Sequence, residues 1–384
     1  MHLLSPSPHL WALRELGDHL TRGPLLEGNR IEPLINGDDA YPAMLKAIDE
    51  AKATIALSTY QFDRDSTGAS FTHALARAVG RGVNVKVLID FLGANLHWPT
   101  VEQDLKRLAV PFRMFSPISG FHSLLRSNYR NHRKILVVDG HIGFTGGINI
   151  IQSHLLSSAC PTPLQDVHFR IEGPLVTSMS RVFADDWLLA SGELLREEEW
   201  LPPLEGVGLL PARGVASGPY QAASAFRELV LSAISIAQSS LWIVTPYFIP
   251  DRQIIDALTP LPSRKVEVNI VIPIRNFKVV EFVSQSIASE LASCGCNIYL
   301  NPPPFDHTKL MLLDQSWVLF GSSNWHARSF RYNREFDVEC YSCEFSRRLE
   351  QLVRAKLATA TTQMVFSPPS RIKRRFCQFI GAYM

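Results

Sequence analysis

The residues best suited to chemistry lie in two segments that share one pattern. Each segment reads His-x-Lys, four apolar residues and Asp, and after six intervening residues Gly-(Gly/Ser)-x-Asn follows. The first copy spans residues 132–139 and 146–149, and the second spans residues 307–314 and 321–324. A duplicate with every spacing kept is hard to obtain by chance. A single histidine before an apolar strand is more often structural, so it is the duplication that favours catalysis.

Each copy offers a titratable imidazole, a fixed cation and an amide donor. His132 and Lys134, like His307 and Lys309, are two residues apart, so on a strand both side chains of a pair point to one face. Two such copies around one phosphorus atom could transfer a phosphoryl group: one imidazole attacks and the other protonates the leaving alkoxide. Lysine and asparagine would stabilise the equatorial oxygens, so no metal and no other cofactor is expected.

Each imidazole needs an acceptor that fixes its tautomer. Asp166 and Glu335 precede strand-like runs, and we expect each to reach the histidine of its own copy. The alternative for both is an exposed loop carboxylate. The predicted catalytic residues are His132, Lys134, Asp139, His307, Lys309 and Asp314, and the predicted phosphate-binding or orienting residues are Asn149, Asn324, Gly147, Ser322, Asp166 and Glu335.

The elements around these segments also repeat. Strand-like and helical stretches alternate, which is typical of an α/β fold. Residues 81–89 are matched by residues 264–272, and a period of roughly 180 residues indicates a duplicated domain and not a solenoid. The predicted limits are an N-terminal extension (1–30), a first lobe (31–200), a Pro/Gly-rich linker (201–217), a second lobe (218–362) and a basic amphipathic tail (363–384).

Composition restricts the class of protein. The 384 residues carry a net charge of only +2, which argues against a nucleic-acid partner. No apolar run reaches the ~18–20 residues of a membrane span, and no signal peptide is evident. The six cysteines fit a reduced compartment, and we interpret the pairs Cys294/Cys296 and Cys340/Cys343 as buried thiols and not as zinc ligands. We therefore expect a cytoplasmic protein whose membrane contact is peripheral.

Two segments are candidates for that contact. Residues 371–380 mix four cations with apolar residues and would suit an anionic lipid surface if helical, or would form a docking helix or a frayed tail. Residues 121–125 are apolar and would be either a second contact or an active-site lid.

From about residue 30 to about residue 361, the sequence resembles the phospholipase D superfamily and, within it, the bacterial cardiolipin synthases. The resemblance rests on the two motifs and on residues 130–149, 166–174, 183–187, 245–251 and 328–335. It implies an α/β fold of two phospholipase-D-like lobes related by a pseudo-twofold axis, each a mixed β-sheet flanked by helices. One active site would lie between the lobes.

The resemblance also implies a reaction. His132 would be the nucleophile and His307 the general acid/base, while both lysines and both asparagines would bind phosphate. A phosphatidyl group would pass through a phosphohistidine to phosphatidylglycerol, with phosphatidylglycerol or phosphatidylethanolamine as donor, at the cytoplasmic face of the membrane. The membrane-spanning N-terminal helices of many such enzymes are not in this sequence, which is similar to the shorter subgroup without them.

Alternatives remain at this point. Water as the acceptor would make a phospholipase D-type hydrolase, and a nuclease or phosphodiesterase of the same superfamily would show a basic, aromatic-rich channel. A non-catalytic protein would show a broken motif, and both motifs are intact. Two departures bear on the site: Gly147 stands where the second copy has Ser322, and residues 150–165 lack the usual tyrosine-rich stretch, which leaves the acceptor open.

Overall fold

A computed structural model describes residues 8–117, 129–219, 225–274, 278–358 and 362–363. The candidate membrane segments at 121–125 and 371–380 lie outside these residues. Among the described residues, no helix combines the length and the apolar character needed to cross a membrane.

The first half of the chain contains eight strands and seven α-helices among the described residues. The strands are β1 (Leu26–Ile35), β2 (Thr54–Thr59), β3 (Asn84–Asp90), β4 (Phe112–Phe115), β5 (Ile135–Val138), β6 (Ile142–Gly146), β7 (Leu164–Gln165) and β8 (Val167–Glu172). The helices are α1 (Trp11–Thr21), α2 (Asn36–Glu50), α3 (Ser66–Gly80), α4 (Phe91–Ala94), α5 (Glu102–Arg107), α6 (Leu175–Ser191) and α7 (Glu197–Trp200), with 3₁₀ turns at Pro8–Leu10 and Gln152–His154.

The second half repeats this order with additional short strands. Its strands are β9 (Leu210–Ser217), β10 (Ser240–Val244), β11 (Phe248–Ile249), β12 (Glu267–Pro273), β13 (Asn297–Asn301), β14 (Phe305–Asp306), β15 (Leu310–Leu313), β16 (Trp317–Gly321), β17 (Trp325–His326), β18 (Glu335–Tyr341) and β19 (Thr362–Gln363). Its helices are α8 (Ala225–Ile236), α9 (Arg252–Leu258), α10 (Lys278–Ser293), α11 (Ala327–Arg331) and α12 (Cys343–Ala358), with a 3₁₀ turn at Pro262–Arg264.

Fifteen strands form one mixed sheet whose order is symmetric about its centre. Outward from the central pair, one side runs β1-β8-β6-β5-β2-β3-β4 and the other runs β9-β18-β16-β15-β10-β12-β13-β19. The central strands β1 and β9 are antiparallel, an arrangement that carries a local twofold axis. The predicted fold class is confirmed: two α/β lobes, β1 to α7 and β9 to β19, are related by a pseudo-twofold axis.

The strands next to the motifs form where the apolar pattern predicts them. All four residues of β5 and all four of β15 are buried, as expected of strands covered on both faces. β5 runs antiparallel to β2, and β15 runs antiparallel to β10. The start of each motif therefore lies at the carboxyl ends of the parallel strands, which is the edge of the sheet where α/β proteins place ligands.

The predicted linker is partly wrong. Leu210–Ser217 is strand β9, which pairs with β18 along its length and with β1 at its start. Alternate residues of β9 are buried, so its apolar side chains belong to the sheet despite the neighbouring prolines and glycines. The predicted N-terminal extension contains α1, which packs on α8 and β9 of the second lobe.

Helices cover both faces of the sheet. On one face each lobe has its own core, beneath α2 and α3 in the first lobe and beneath α8 and α1 in the second. On the other face a single core runs under α6 and α12 and includes residues of both lobes. There Phe169 of β8 stacks on Phe320 of β16 with ring centroids 3.7 Å apart. The shared core fixes how the two lobes meet.

Candidate active site

Each motif enters the site hydrogen-bonded to the opposite lobe. β14 of the second lobe pairs in parallel with β7 of the first, and a single parallel bridge joins Asn131 to Arg334. The backbone N–H of His307 donates to the carbonyl of Gln165 at 2.7 Å, and that of His132 donates to the carbonyl of Arg334 at 2.9 Å. These backbone bonds place His132 next to the residue that follows Arg334, and His307 next to the residue that follows Gln165.

Those following residues are the two predicted carboxylates. His132 Nδ1 lies 2.9 Å from Glu335 Oε2, and His307 Nδ1 lies 2.9 Å from Asp166 Oδ2. The two predicted carboxylates do contact the motif histidines, but the expected pairing was wrong because each carboxylate reaches the histidine of the other lobe. The reason is the crossed backbone pairing, which no local pattern in the sequence specifies.

The two lysines occupy matching positions. Lys134 Nζ donates to the carbonyl of His132 at 2.7 Å, and Lys309 Nζ donates to the carbonyl of His307. Each lysine therefore folds back beside its own histidine, on the shared face that their spacing predicts. Lys134 Nζ also lies 5.6 Å from the ring centroid of Tyr60, and that ring is 5.1 Å from the His132 ring.

Burial alters the charge state of one lysine. Burial lowers the pKa of Lys134 to about 7, against the opposing effect of Glu335 and with a further lowering by Lys309. A phosphodiester anion placed beside Lys134 would favour its protonated form again. Binding of an anion would therefore favour uptake of a proton by Lys134.

Glu335 is held as an anion by four donors. His132 contacts one of its oxygens, Ser322 Oγ donates to the same oxygen at 2.6 Å, and Ser329 Oγ donates to the other at 2.7 Å. Asn333 Nδ2 adds a contact at 3.3 Å. Burial alone would raise the pKa of Glu335, but its charged neighbours and these hydrogen bonds lower the pKa to about 2.

Asp166 has a different environment. It accepts from His307 and from its own neighbour, the backbone N–H of Val167, at 2.8 Å. A Cβ atom on Gly147 would lie 2.3 Å from Asp166 Oδ2, so glycine is the residue that this carboxylate leaves room for. Burial raises the pKa of Asp166. The two histidine–carboxylate pairs are therefore similar in geometry and unlike in electrostatics.

Comparison with known proteins now assigns the family. The model of the family described as "Cardiolipin synthase, PLD-like domain" matches residues 44–187 and 230–356. The chain belongs to that family. It is 32% identical over 347 residues to cardiolipin synthase A of Pseudomonas fluorescens, covering 89% of this chain and 71% of that protein. It is 33% identical over 349 residues to cardiolipin synthase 1 of Bacillus anthracis, covering 86% and 68%.

A solved structure shares the fold. The phosphatidylserine synthase of Haemophilus influenzae Rd KW20 superposes with a TM-score of 0.74 at 16% identity, covering 97% of this chain and 100% of that one. The two matched ranges of the cardiolipin synthase family model contain one motif each, so the family's sequence pattern spans both lobes.

The structure does not bring Asp139 and Asp314 to the histidines. They follow β5 and β15, at the end opposite His132 and His307, and four residues of strand span roughly 13 Å.

Asp139 accepts, at 2.7–2.9 Å, from the backbone N–H groups of Lys52, Ala53 and Thr54. Asp314 accepts, at 2.7–3.0 Å, from those of Gln238, Ser239 and Ser240. Both are corrected to residues that fix the start of a neighbouring strand.

The asparagines are buried beside the motifs. Asn149 Oδ1 accepts from the backbone N–H of Gln61 at 3.3 Å, and the Asn149 carbonyl accepts from the Tyr41 hydroxyl at 2.7 Å. The backbone N–H of Asn324 donates to Ser329 Oγ at 3.2 Å. Because Gln61 bonds the side-chain oxygen of Asn149, the side-chain NH₂ group of Asn149 points away from the Gln61 backbone.

Two pairs of residues at matching positions of the two copies lie in the site and were not predicted from the sequence. His154 lies five residues after Asn149 just as Ser329 lies five residues after Asn324, and both approach a carboxylate of the site. His168 and Asp337 are both buried, and each lies two residues after one of the two carboxylates that contact the histidines. Aligning the two copies position by position beyond the motifs would have found all four.

Among the described residues, one group has metal-ligand geometry. His154, Asp166 and His307 place ligand atoms within 4.8 Å of one another. Burial lowers the pKa of His154 to about 3, so its imidazole is uncharged and has a lone pair for a cation. Lys309 Nζ, however, lies 3.0 Å from His307 Nδ1, and its charge opposes a cation there. The donor set therefore does not fit a resident metal.

Proposed function

We propose that the chain is a phosphatidyltransferase that makes cardiolipin. It transfers a phosphatidyl group from one phospholipid to a hydroxyl of phosphatidylglycerol through a phosphohistidine. The observation that carries the proposal is the pair of crossed histidine–carboxylate contacts, His132 with Glu335 and His307 with Asp166. This arrangement supplies two oriented imidazoles, one to attack phosphorus and one to move protons. The names of the curated relatives supply the substrate class.

The first step forms the covalent intermediate. With Nδ1 bonded to Glu335, the Nε2 atom of His132 carries the lone pair that attacks phosphorus. The P–O bond to the leaving alcohol breaks, and His307 gives that oxygen a proton. Lys134 and Lys309, with Asn149 and Asn324, stabilise the charge on the non-bridging oxygens.

The second step reverses the proton transfer. His307 removes the proton from a hydroxyl of phosphatidylglycerol, whose oxygen attacks the same phosphorus. The P–N bond to His132 breaks and restores the free imidazole. With phosphatidylglycerol as donor, two molecules become one cardiolipin and one glycerol, so atoms and charge balance. Phosphatidylethanolamine as donor would release ethanolamine instead.

The unlike carboxylates support these roles. A phosphorylated imidazole is cationic when its other nitrogen keeps a proton, and the anionic Glu335, with its pKa near 2, lies against that nitrogen of His132. Burial raises the pKa of Asp166, so the two histidines have carboxylate partners with unlike proton affinities. The electrostatics therefore favour His132 as nucleophile and His307 as acid/base.

The place of action follows from the substrate. Phospholipids stay in the bilayer, so the enzyme works at the membrane surface, and we place it peripherally at the cytoplasmic face. Hydrolysis by water and the superfamily's phosphodiester cleavage of nucleic acids are the alternatives. The first differs from transfer only in the acceptor, so product analysis separates them.

The test is product analysis with vesicles of phosphatidylglycerol. Cardiolipin and glycerol are expected by mass spectrometry, whereas phosphatidic acid alone would identify a hydrolase. When the unmodified protein is quenched during turnover, an acid-labile phosphatidyl adduct should be found on the peptide that contains His132, and His132→Ala should lack it.

A matched variant controls for loss of histidine in general. His73 is exposed on α3, and His73→Ala should turn over as the unmodified protein does. If His132→Ala and His307→Ala both retained full turnover, the proposed mechanism would be excluded.

A further inference from the structure

A short loop beside the active site exposes large apolar side chains. The loop, residues 95–99, follows α4 and is called the Trp98 loop here. Leu96 is 56% exposed and Trp98 is 84% exposed. Residues 91–101 contain no Asp, Glu, Lys or Arg. An exposed tryptophan in an uncharged segment can enter an apolar phase without desolvating a charge.

The helix before this loop begins next to the residue that precedes His132. Asp90 caps α4 by accepting from the backbone N–H of Leu92 at 2.9 Å, and its other oxygen accepts from that of Asn131, also at 2.9 Å. Asn131 directly precedes His132. A hydrogen bond therefore joins Asp90, at the start of α4, to the residue directly before the proposed nucleophile.

The middle of α4 lies against Tyr60. A Cβ atom on Gly93 would be 1.9 Å from the carbonyl oxygen of Tyr60, so only glycine permits this approach. The ring of Tyr60 is 5.1 Å from that of His132. The Trp98 loop begins two residues after this contact, so it lies at the rim of the site.

A second set of contacts ties the loop to the phosphate-binding side. His97 Nδ1 lies 2.8 Å from Asp63 Oδ2, and Gln61 Nε2 donates to the same oxygen at 3.0 Å. The backbone N–H of Gln61 donates to Asn149 Oδ1 at 3.3 Å. His97 is itself exposed, and its neighbours Leu96 and Trp98 are exposed to solvent on either side of it.

We infer that the Trp98 loop is a membrane-contacting element of this enzyme. Leu96 and Trp98 enter the interfacial region of a phospholipid bilayer and hold the rim of the site at the headgroups. The inference rests on the proposed function, because only a substrate that stays in the bilayer requires the rim to touch lipid. An indole at the rim suits this role, since tryptophan favours the boundary between headgroups and acyl chains.

The experiment measures binding and catalysis separately. Binding is measured by sedimentation with phosphatidylglycerol vesicles. Turnover is measured on the same vesicles and on a short-chain phosphatidylglycerol below its critical micelle concentration. Trp98→Ser should bind vesicles about tenfold more weakly, the order of effect that loss of one buried large side chain predicts, and should lose vesicle turnover in proportion. Turnover on the monomeric lipid should change less than twofold.

Trp11→Ser is the matched control. Trp11 is 50% exposed on α1, and His9, two residues before it, bonds Asp314 at 2.8 Å, at the end of β15 away from the active site. This variant should bind vesicles and turn over as the unmodified protein does. Brominated phosphatidylglycerol should also quench the fluorescence of the unmodified protein more than that of Trp98→Phe.

Three outcomes would overturn the inference. The first is unchanged vesicle binding by Trp98→Ser. The second is an equal loss of turnover on monomeric lipid, which would assign Trp98 to the site itself. The third is a dimer in lipid-free light scattering that Trp98→Ser abolishes, which would make the loop a protein interface. Failure of the proposed function would appear instead as no transfer by the unmodified protein on either substrate, and the binding comparison would still test the loop.

Discussion

Glu335 of the second lobe lies 2.9 Å from Nδ1 of His132 in the first lobe, across 203 residues of chain. The reciprocal contact joins His307 to Asp166 across 141 residues. In each of these two pairs the histidine and the carboxylate come from different lobes. The candidate active site therefore combines residues of both lobes, and each lobe supplies the carboxylate that contacts the histidine of the other.

Glu335→Gln tests the charge of Glu335 while keeping the shape of its side chain. The amide keeps the shape of the side chain but removes the charge that favours a cationic His132, so turnover should fall roughly 10²–10⁴-fold. The measurement is turnover on phosphatidylglycerol, with adduct formation on His132 followed in the same samples. Glu344→Gln, at an exposed position, should leave both unchanged. Normal adduct formation on His132 in Glu335→Gln would contradict the role given to the charge of Glu335.

Gly147→Ala should impair the other pair. The added Cβ would lie 2.3 Å from Asp166 Oδ2, so the carboxylate must move away from His307. A displacement of about 1 Å can cost on the order of 10²-fold in rate, and we expect a loss of at least tenfold with the protein still folded. Gly80→Ala is the control, because a Cβ there meets nothing within 4 Å. Full activity of Gly147→Ala would show that the position of Asp166 does not matter to turnover.

Asp139→Ala should affect stability and not chemistry. The carboxylate bonds three consecutive backbone N–H groups that open β2, and loss of such charge-assisted bonds costs roughly 2–3 kcal/mol of unfolding free energy. Denaturant unfolding should show the loss, while turnover per folded molecule stays within a few-fold. Asp49→Ala, which removes an exposed ion pair with Arg77, should cost much less. A large loss of turnover at full stability would restore Asp139 to the catalytic set.

Asp337 should make stability depend on pH above neutrality. Burial raises the pKa of this carboxyl group from 3.8 to about 8, so it stays protonated in the folded state while the unfolded chain ionises. Fewer protons bound in the unfolded state mean that this group's contribution to stability falls as pH rises from about 4 to about 8. Asp337→Asn, which cannot ionise, should therefore be more stable than the unmodified protein at pH 8, with the difference shrinking toward pH 4.

Thermal melts across that range measure the effect. Asp256→Asn, at an exposed position on α9, should leave the pH profile unchanged. Parallel pH profiles for Asp337→Asn and the unmodified protein would mean that Asp337 is ionised in the folded state.

The sequence by itself determined the parts of this site. The apolar quartet after His132 and Lys134 became the buried strand β5, because a short run of apolar residues is typical of a strand covered on both faces. The repeat likewise determined two similar lobes. It also identified Asp166 and Glu335 as orienting carboxylates.

Only the tertiary structure decided how the parts combine. The crossed pairing of β7 with β14, and of Asn131 with Arg334, gave each carboxylate to the other lobe's histidine. The same packing gave Asp139 the backbone N–H groups of Lys52, Ala53 and Thr54 as partners and made β9 a sheet strand. These outcomes depend on backbone hydrogen bonds and a core shared between residues more than a hundred positions apart, and no local spacing in the sequence encodes them.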